Sequence, residues 1–122
     1  MNHRIEVDNK SKIIKVFAQG KWNIEDSDKI TTVITEKSQE TGIVKILIDH
    51  SQLKINVSNL VAYKRPLQLK SQFEDIYPFV AFVTPKGKYK LYKFFVTVAR
   101  NRGIFFNAFK DYDSALEWLL AN

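Results

Sequence analysis

A chain of 122 residues, 45% hydrophobic and 26% charged, has the composition of an ordinary globular protein and is long enough to bury a core without staples. It contains no cysteine, which excludes a disulfide framework, a thiolate nucleophile and a cysteine-based metal site. The formal net charge of +6 is unevenly placed: between Pro85 and Lys110 there are seven Lys or Arg and no Asp or Glu, and the remainder is close to neutral.

The opening residues Met1-Asn2-His3-Arg4-Ile5-Glu6 have no apolar h-region. No stretch approaches the roughly 18 apolar residues of a membrane span. The cytoplasm is the expected location. Ile5 and Val7 alternate with Arg4, Glu6 and Asp8, the period of a half-buried strand, and Ile13 to Ala18 follows after a polar turn, so the two read as an antiparallel hairpin. Asn23 is placed to cap a helix whose first turn carries Glu25 and Asp26, with Ile30, Val33 and Ile34 as its apolar stripe and Gly42 as its stop. Ile43 to Asp49 is the clearest strand. A second helix is expected to begin near Val57 or Ser58 and to kink or restart at Pro66.

Phe79 to Val83 is apolar throughout, as a central strand covered on both faces requires. Lys88 to Asn101 reads as a helix closed by Gly103, Ile104 to Phe109 as a last strand, and Asp111 to Leu120 as a last helix. The order is β-β-α-β-α-β-α-β-α, which predicts one compact α/β domain over residues 1–122 with right-handed crossovers and a mostly parallel sheet.

Gly20-Lys21-Trp22 before an acidic helix start, the strand Lys45-Ile46-Leu47-Ile48-Asp49, Thr97-Val98-Ala99-Arg100-Asn101-Arg102-Gly103 and the closing Ala115-Leu116-Glu117-Trp118-Leu119 occur in an order and spacing that resembles the SpoIIAA-like family of STAS and Sec14-type small domains across nearly the whole chain. The resemblance implies a mixed five-stranded sheet with an antiparallel first strand and about four flanking helices. It also implies a small regulatory or binding module, compatible with a homodimer, rather than an enzyme. Anti-sigma factor antagonists of the STAS type are switched by phosphorylation of a serine at the start of the second helix, in a motif resembling Asp-Phe-Ser-Gly followed by Asp-Ser-Ser-Gly. Here Asp49 and Ser51 match, and Ser58 falls in or next to the phosphoserine register. Both glycines and the second aspartate are absent. The plainer reading of Ser58 is a helix N-cap.

In open parallel sheets ligands sit beyond the carboxyl ends of the strands. That edge would gather Asp49, His50 and Ser51 after one strand, Thr84, Lys86 and Lys88 after the next, and Lys110 after the last, beside helix N-termini that favour anions. These, with Ser58, are the candidate ligand-binding residues, and their bland alternative is capping at loop tips. Asp49-His50-Ser51 is no catalytic triad, because consecutive side chains do not converge as acid, base and nucleophile. His50 reads as a surface or edge histidine, and no catalytic or metal-ligating set and no cofactor is expected.

Lys86, Lys88, Lys90 and Lys93 interleave with Tyr89, Leu91, Tyr92, Phe94 and Phe95. The alternative function is therefore a basic surface, Lys86 to Arg102, that binds nucleic acid or makes a peripheral contact with an anionic membrane. The structural alternative is that Leu91, Phe95 and Val98 face the sheet while the lysines solvate the outer face. An aromatic-lined pocket between the Pro66 helix and the basic helix could hold an acyl chain with its acidic head on the lysines. The preferred expectation is a non-enzymatic cytoplasmic module that binds a partner protein or a small amphipathic anionic ligand, with nucleic acid the less favoured partner.

Overall fold

The computed structural model describes residues 1–122. The elements are β1 (Asn2–Asp8), β2 (Ile13–Lys21), α1 (Ile24–Thr41), β3 (Lys45–Lys54), α2 (Asn59–Gln72), β4 (Phe79–Val83), α3 (Tyr89–Asn101), β5 (Phe105–Phe109) and α4 (Tyr112–Leu120). They form the expected α/β architecture. The five strands lie side by side in chain order, with β1 antiparallel to β2 and every later pair parallel. No helix is long and apolar enough to cross a membrane.

Local chemistry sets the helix ends. Asn23 is extended and its Oδ1 accepts the Asp26 N–H at 2.9 Å, while Gly42, at φ 75°, donates its N–H to the Ser38 carbonyl. α3 ends in a Schellman motif: the Ile104 N–H donates to the Ala99 carbonyl and the Gly103 N–H to that of Arg100, with Gly103 at φ 78°. The buried stripe of α1 differs from expectation. It runs Ile30, Thr31, Ile34 and Ser38, with Val33 only half-buried. Thr31 and Ser38 tolerate burial because their hydroxyls donate to the carbonyls of Ser27 and Ile43. α2 does not restart at Pro66, which lies buried within one helix from Asn59 to Gln72.

A strand order that never reverses sends successive right-handed crossovers to the same side. α1, α2 and α3 accordingly share one face, over a core that includes Ile14, Ile34, Ile46, Val80, Phe95 and Phe106. α4 alone returns across the other face, above Ile13, Leu47, Ala81 and Val83, through Ala115 and Leu119. The β1–β2 part of that face has no helix. There Arg4 lies 4.4 Å over the Phe17 ring, Phe17 stacks on Tyr112, and Lys15 pairs with Asp8 at 3.2 Å.

Candidate functional site

The uniform strand order has a consequence for the carboxyl edge of the sheet. Ligand crevices of open parallel sheets open where the strand order reverses and neighbouring helices go to opposite faces. Here there is no reversal, so no such crevice forms. β3 also runs on to Lys54, so Asp49, His50 and Ser51 lie within a strand rather than in a loop after it. The extension arises because β2 continues to Lys21 and pairs with Gln52, Leu53 and Lys54 beyond a bulge: Phe17 is opposite Asp49 but Gln19 is opposite Gln52.

The candidate residues separate accordingly. Asp49 accepts the Ser51 N–H at 2.8 Å and occupies the face opposite that of His50. Thr84 is buried, its N–H given to the Phe109 carbonyl. Lys86 is exposed, Lys88 precedes α3 without a side-chain cap, and Lys110 places its ammonium 5.0 Å from the Tyr89 ring. Ser58 stands at the start of α2, where its Oγ accepts the Val61 N–H at 3.3 Å, and is exposed. The edge thus brings Thr84, Lys88 and Lys110 into one neighbourhood, while Ser58 stands between Val57 and Val61, which share a pocket wall with His50.

His50 is not a surface histidine. It is half-buried on the three-helix face, its Nδ1 2.6 Å from the Tyr92 hydroxyl, with edge contacts to Phe82 and Tyr92. Desolvation holds its pKa down at about 4 and pushes the Tyr92 phenol well above its ordinary value. The hydrogen bond thus joins two neutral groups, the imidazole and the phenol. No distant carboxylate approaches the ring. This pairing spans 42 residues, and no spacing in the sequence signals it.

The pocket expected between α2 and α3 exists, walled by His50, Ile55, Ala62, Arg65, Tyr92 and Phe95, but its volume is only about 70 Å³. A second void of about 40 Å³ shares the His50 wall. A cavity that admits benzene is about 150 Å³, so these spaces take a few waters and not an acyl chain. Arg65 is buried there and neutralised by Asp28 at 2.8 Å, with a further bond to the Ser27 hydroxyl. Gln72 donates to the same Asp28 carboxylate, which with Arg65 holds its pKa below the usual range. The guanidinium joins α2 to α1.

The basic helix solvates as the structural alternative has it. Tyr92, Phe95 and Val98 are buried and Leu91 is half-buried, while Lys90 and Lys93 are exposed. Of the interleaved aromatics only Phe94 is substantially open to solvent.

An exposed apolar stripe lies on α2. Ala62, Arg65 and Leu69 (i, i+3, i+7) face inward, and Leu60, Tyr63 and Leu67, offset by two residues, form a second stripe on the opposite side. These three are 59%, 48% and 46% exposed. The stripe runs into a recess of about 460 Å³ at the other end of the molecule from the expected edge, where Leu67 meets Tyr77, Phe105, Lys70 and Arg102. The same i, i+3, i+7 set was visible in the sequence, but a helix with two apolar faces is ordinarily buried on both.

The architecture now bears comparison with solved structures. The anti-sigma factor antagonist SpoIIAA in its unphosphorylated form superposes with a TM-score of 0.64, at 10% identity, over 99% of this chain and 98% of that one. The fold is that of SpoIIAA. The Bacillus cell fate determinant SpoIIAA in its phosphorylated form gives a TM-score of 0.56 at 11% identity, over 97% of this chain and 99% of that one. An anti-sigma factor antagonist from Mycobacterium paratuberculosis gives 0.57 at 13% identity, over 97% and 94%. At such identities the SpoIIAA likeness is one of fold. No protein-family model matches the chain, and no curated protein matches it in sequence.

Proposed function

We propose that this chain is a non-enzymatic regulatory module that meets a partner protein through the outer face of α2. The observation that carries the reading is the exposed stripe Leu60, Tyr63 and Leu67, on a helix whose inward face is already satisfied. Contiguous apolar surface of this kind marks a binding site more often than it marks a monomer's ordinary exterior. The spacing suits a helix face laid against an apolar groove, and the adjoining recess suits one anchoring side chain from the partner. The fold neighbours support the same class, since two of them are described as anti-sigma factor antagonists. The voids of about 70 and 40 Å³ beside His50 are too small for an acyl chain, so the reading rests on the α2 face and its adjoining recess.

Ser58 begins this face. Its exposed hydroxyl precedes Leu60 by two residues, so a phosphate there would place charge at the rim of the patch. SpoIIAA is known in both phosphorylated and unphosphorylated forms, which makes the same chemistry at Ser58 a reasonable part of the proposal.

The test is reversible cross-linking and purification from the native host, comparing the wild type with Leu60→Asp/Leu67→Asp and with the control Lys90→Glu/Lys93→Glu. A protein recovered at equimolar ratio with the wild type and control, but lost from the α2 variant while that variant keeps its circular dichroism, is the expected result. Equal recovery with all three would overturn the α2 face as the docking site.

A further inference from the structure

The sheet has two edges, and the chain treats them differently. On β5 the Phe109 carbonyl accepts the Thr84 N–H, so the odd-numbered residues face β4 and the N–H groups of Phe106 and Ala108 point outward. Both are taken within the chain: Phe106 donates to the Ile104 carbonyl at 3.0 Å and Ala108 to its neighbour Asn107 Oδ1 at 2.9 Å. This edge offers no free donor to an incoming strand.

β1 is the reverse. It is seven residues long, contains no proline, and pairs without interruption from Asn2 to Asp8 with β2. No side chain or loop carbonyl takes the backbone groups of its outer side. Open edges are commonly guarded by charged side chains, proline or bulges. The charges on β1 are Arg4, Glu6 and Asp8, of both signs and two residues apart along one face, so a second copy can complement them.

We propose that β1 is a homodimer interface, pairing antiparallel with β1 of a second copy about a two-fold axis through Ile5. That register sets Arg4 opposite the partner's Glu6 and, by symmetry, Glu6 opposite the partner's Arg4, with Asn2 opposite Asp8 on the same face. On the other face Ile5 meets its own copy, joining two half-buried side chains that already pack at the margin of the main core. A register centred on Arg4 sets that residue against its own copy, and one centred on Glu6 does the same for Glu6 while pairing Arg4 with the partner's Asp8. Of the three, only the register centred on Ile5 contains no like-charge pair. Arg4 uses its Nε on Glu6 of its own strand at 3.1 Å, which leaves the terminal nitrogens of the guanidinium for the partner's carboxylate. The result is a continuous ten-stranded sheet.

The pairing covers one short edge, which is less than a permanent dimer buries, so the association is concentration-dependent. β1 packs on β2, leaving the apolar face of α2 open on both copies. The dimer would present two docking faces to a bivalent partner.

Sedimentation equilibrium tests this from the micromolar to the millimolar range. The wild type is expected to rise from 14.2 kDa toward twice that mass. Arg4→Glu, which sets like charges against each other at both pairs, is expected to weaken association by about tenfold or more, and the double swap Arg4→Glu/Glu6→Arg to restore it. Both side chains are well exposed, so the monomer's thermal midpoint should fall only by the small loss of the Arg4 contact over Phe17 and, in the double swap, of the Glu6 pairing opposite Lys15. Hydrogen exchange of the wild type reads the same edge without a variant: alternate β1 amides should gain protection with concentration and β5 amides should not. A wild type that stays monomeric throughout, or an Arg4→Glu variant that dimerises as well as the double swap, overturns the proposal.

Discussion

His50 illustrates how a single side chain acquires its properties from a fold. The β3 bulge and the strand alternation turn it inward, and Phe82 and Tyr92 strip its water, so the imidazole stays neutral down to about pH 4. The free residue in an unfolded chain protonates near 6.5. Between those values the unfolded state binds the extra proton, so stability rises with pH there. The contribution is fully present above pH 6.5, is lost as pH falls toward 4, and changes no further below that. The whole span corresponds to about 3 kcal/mol. Urea unfolding at pH 7, 5.5 and 4 should show that loss in the wild type and a nearly flat response for His50→Gln over the same window. Asp8 works in a lower window: hydrogen bonds from Ser11, then Lys15, hold its carboxyl at about 2, and its part is kept above roughly pH 4 and lost toward 2. If His50→Gln kept the wild-type slope between pH 6.5 and 4, the buried imidazole would not be its source.

At the scale of an element, α2 carries both a structural and a functional role at one residue. Ser58 caps the helix through a single bond to the Val61 N–H, and the first turn has no acidic side chain to add to it. Ser58→Ala should therefore cost about 1 kcal/mol in urea unfolding, whereas Ser58→Asp, itself a good cap beside a helix N-terminus, should leave stability within a few tenths. If Ser58→Asp nonetheless weakened partner capture, the charge would be acting on the docking face and not on the fold; a drop in stability equal to that of Ser58→Ala would contradict this view of the cap. The cap was legible because it is local, as were Asn23, Gly42 and Gly103, each decided by residues a few positions away. What escaped was set across distance. β3 overran Asp49 because β2 was long enough to keep pairing, Thr31 and Ser38 went inside because carbonyls awaited their hydroxyls, and His50 met a tyrosine 42 positions on. The α2 stripe was present in the sequence, but nothing local says which of two apolar faces a fold will leave uncovered.

Across the whole molecule the two faces of the sheet are unequally held. Three helices and a twenty-residue cluster secure one, and a nine-residue helix in a cluster of six buried residues, two of them its own, secures the other. The asymmetry follows directly from a strand order that sends every crossover to one side, leaving only the segment after β5 to cover the rest. Regions with few buried apolar partners open locally at lower free energy than the global transition. α4 should thus exchange its amides by sub-global opening, while the central strand β3 exchanges only on complete unfolding. Leu119 is fully buried in the smaller cluster and Ile34 almost so in the larger, and truncating either to alanine should cost on the order of 3 kcal/mol. Their exchange patterns should differ. Ile34→Ala should lower the protection of slow β3 amides by the full change in global stability. Leu119→Ala should act first on α4, detaching it at denaturant concentrations where β3 remains protected. Equal loss of protection in α4 and β3 for both variants would mean instead that the sheet cannot keep its three-helix core once the other face is bare, and that α4, despite its small cluster, belongs to the same cooperative unit as the rest.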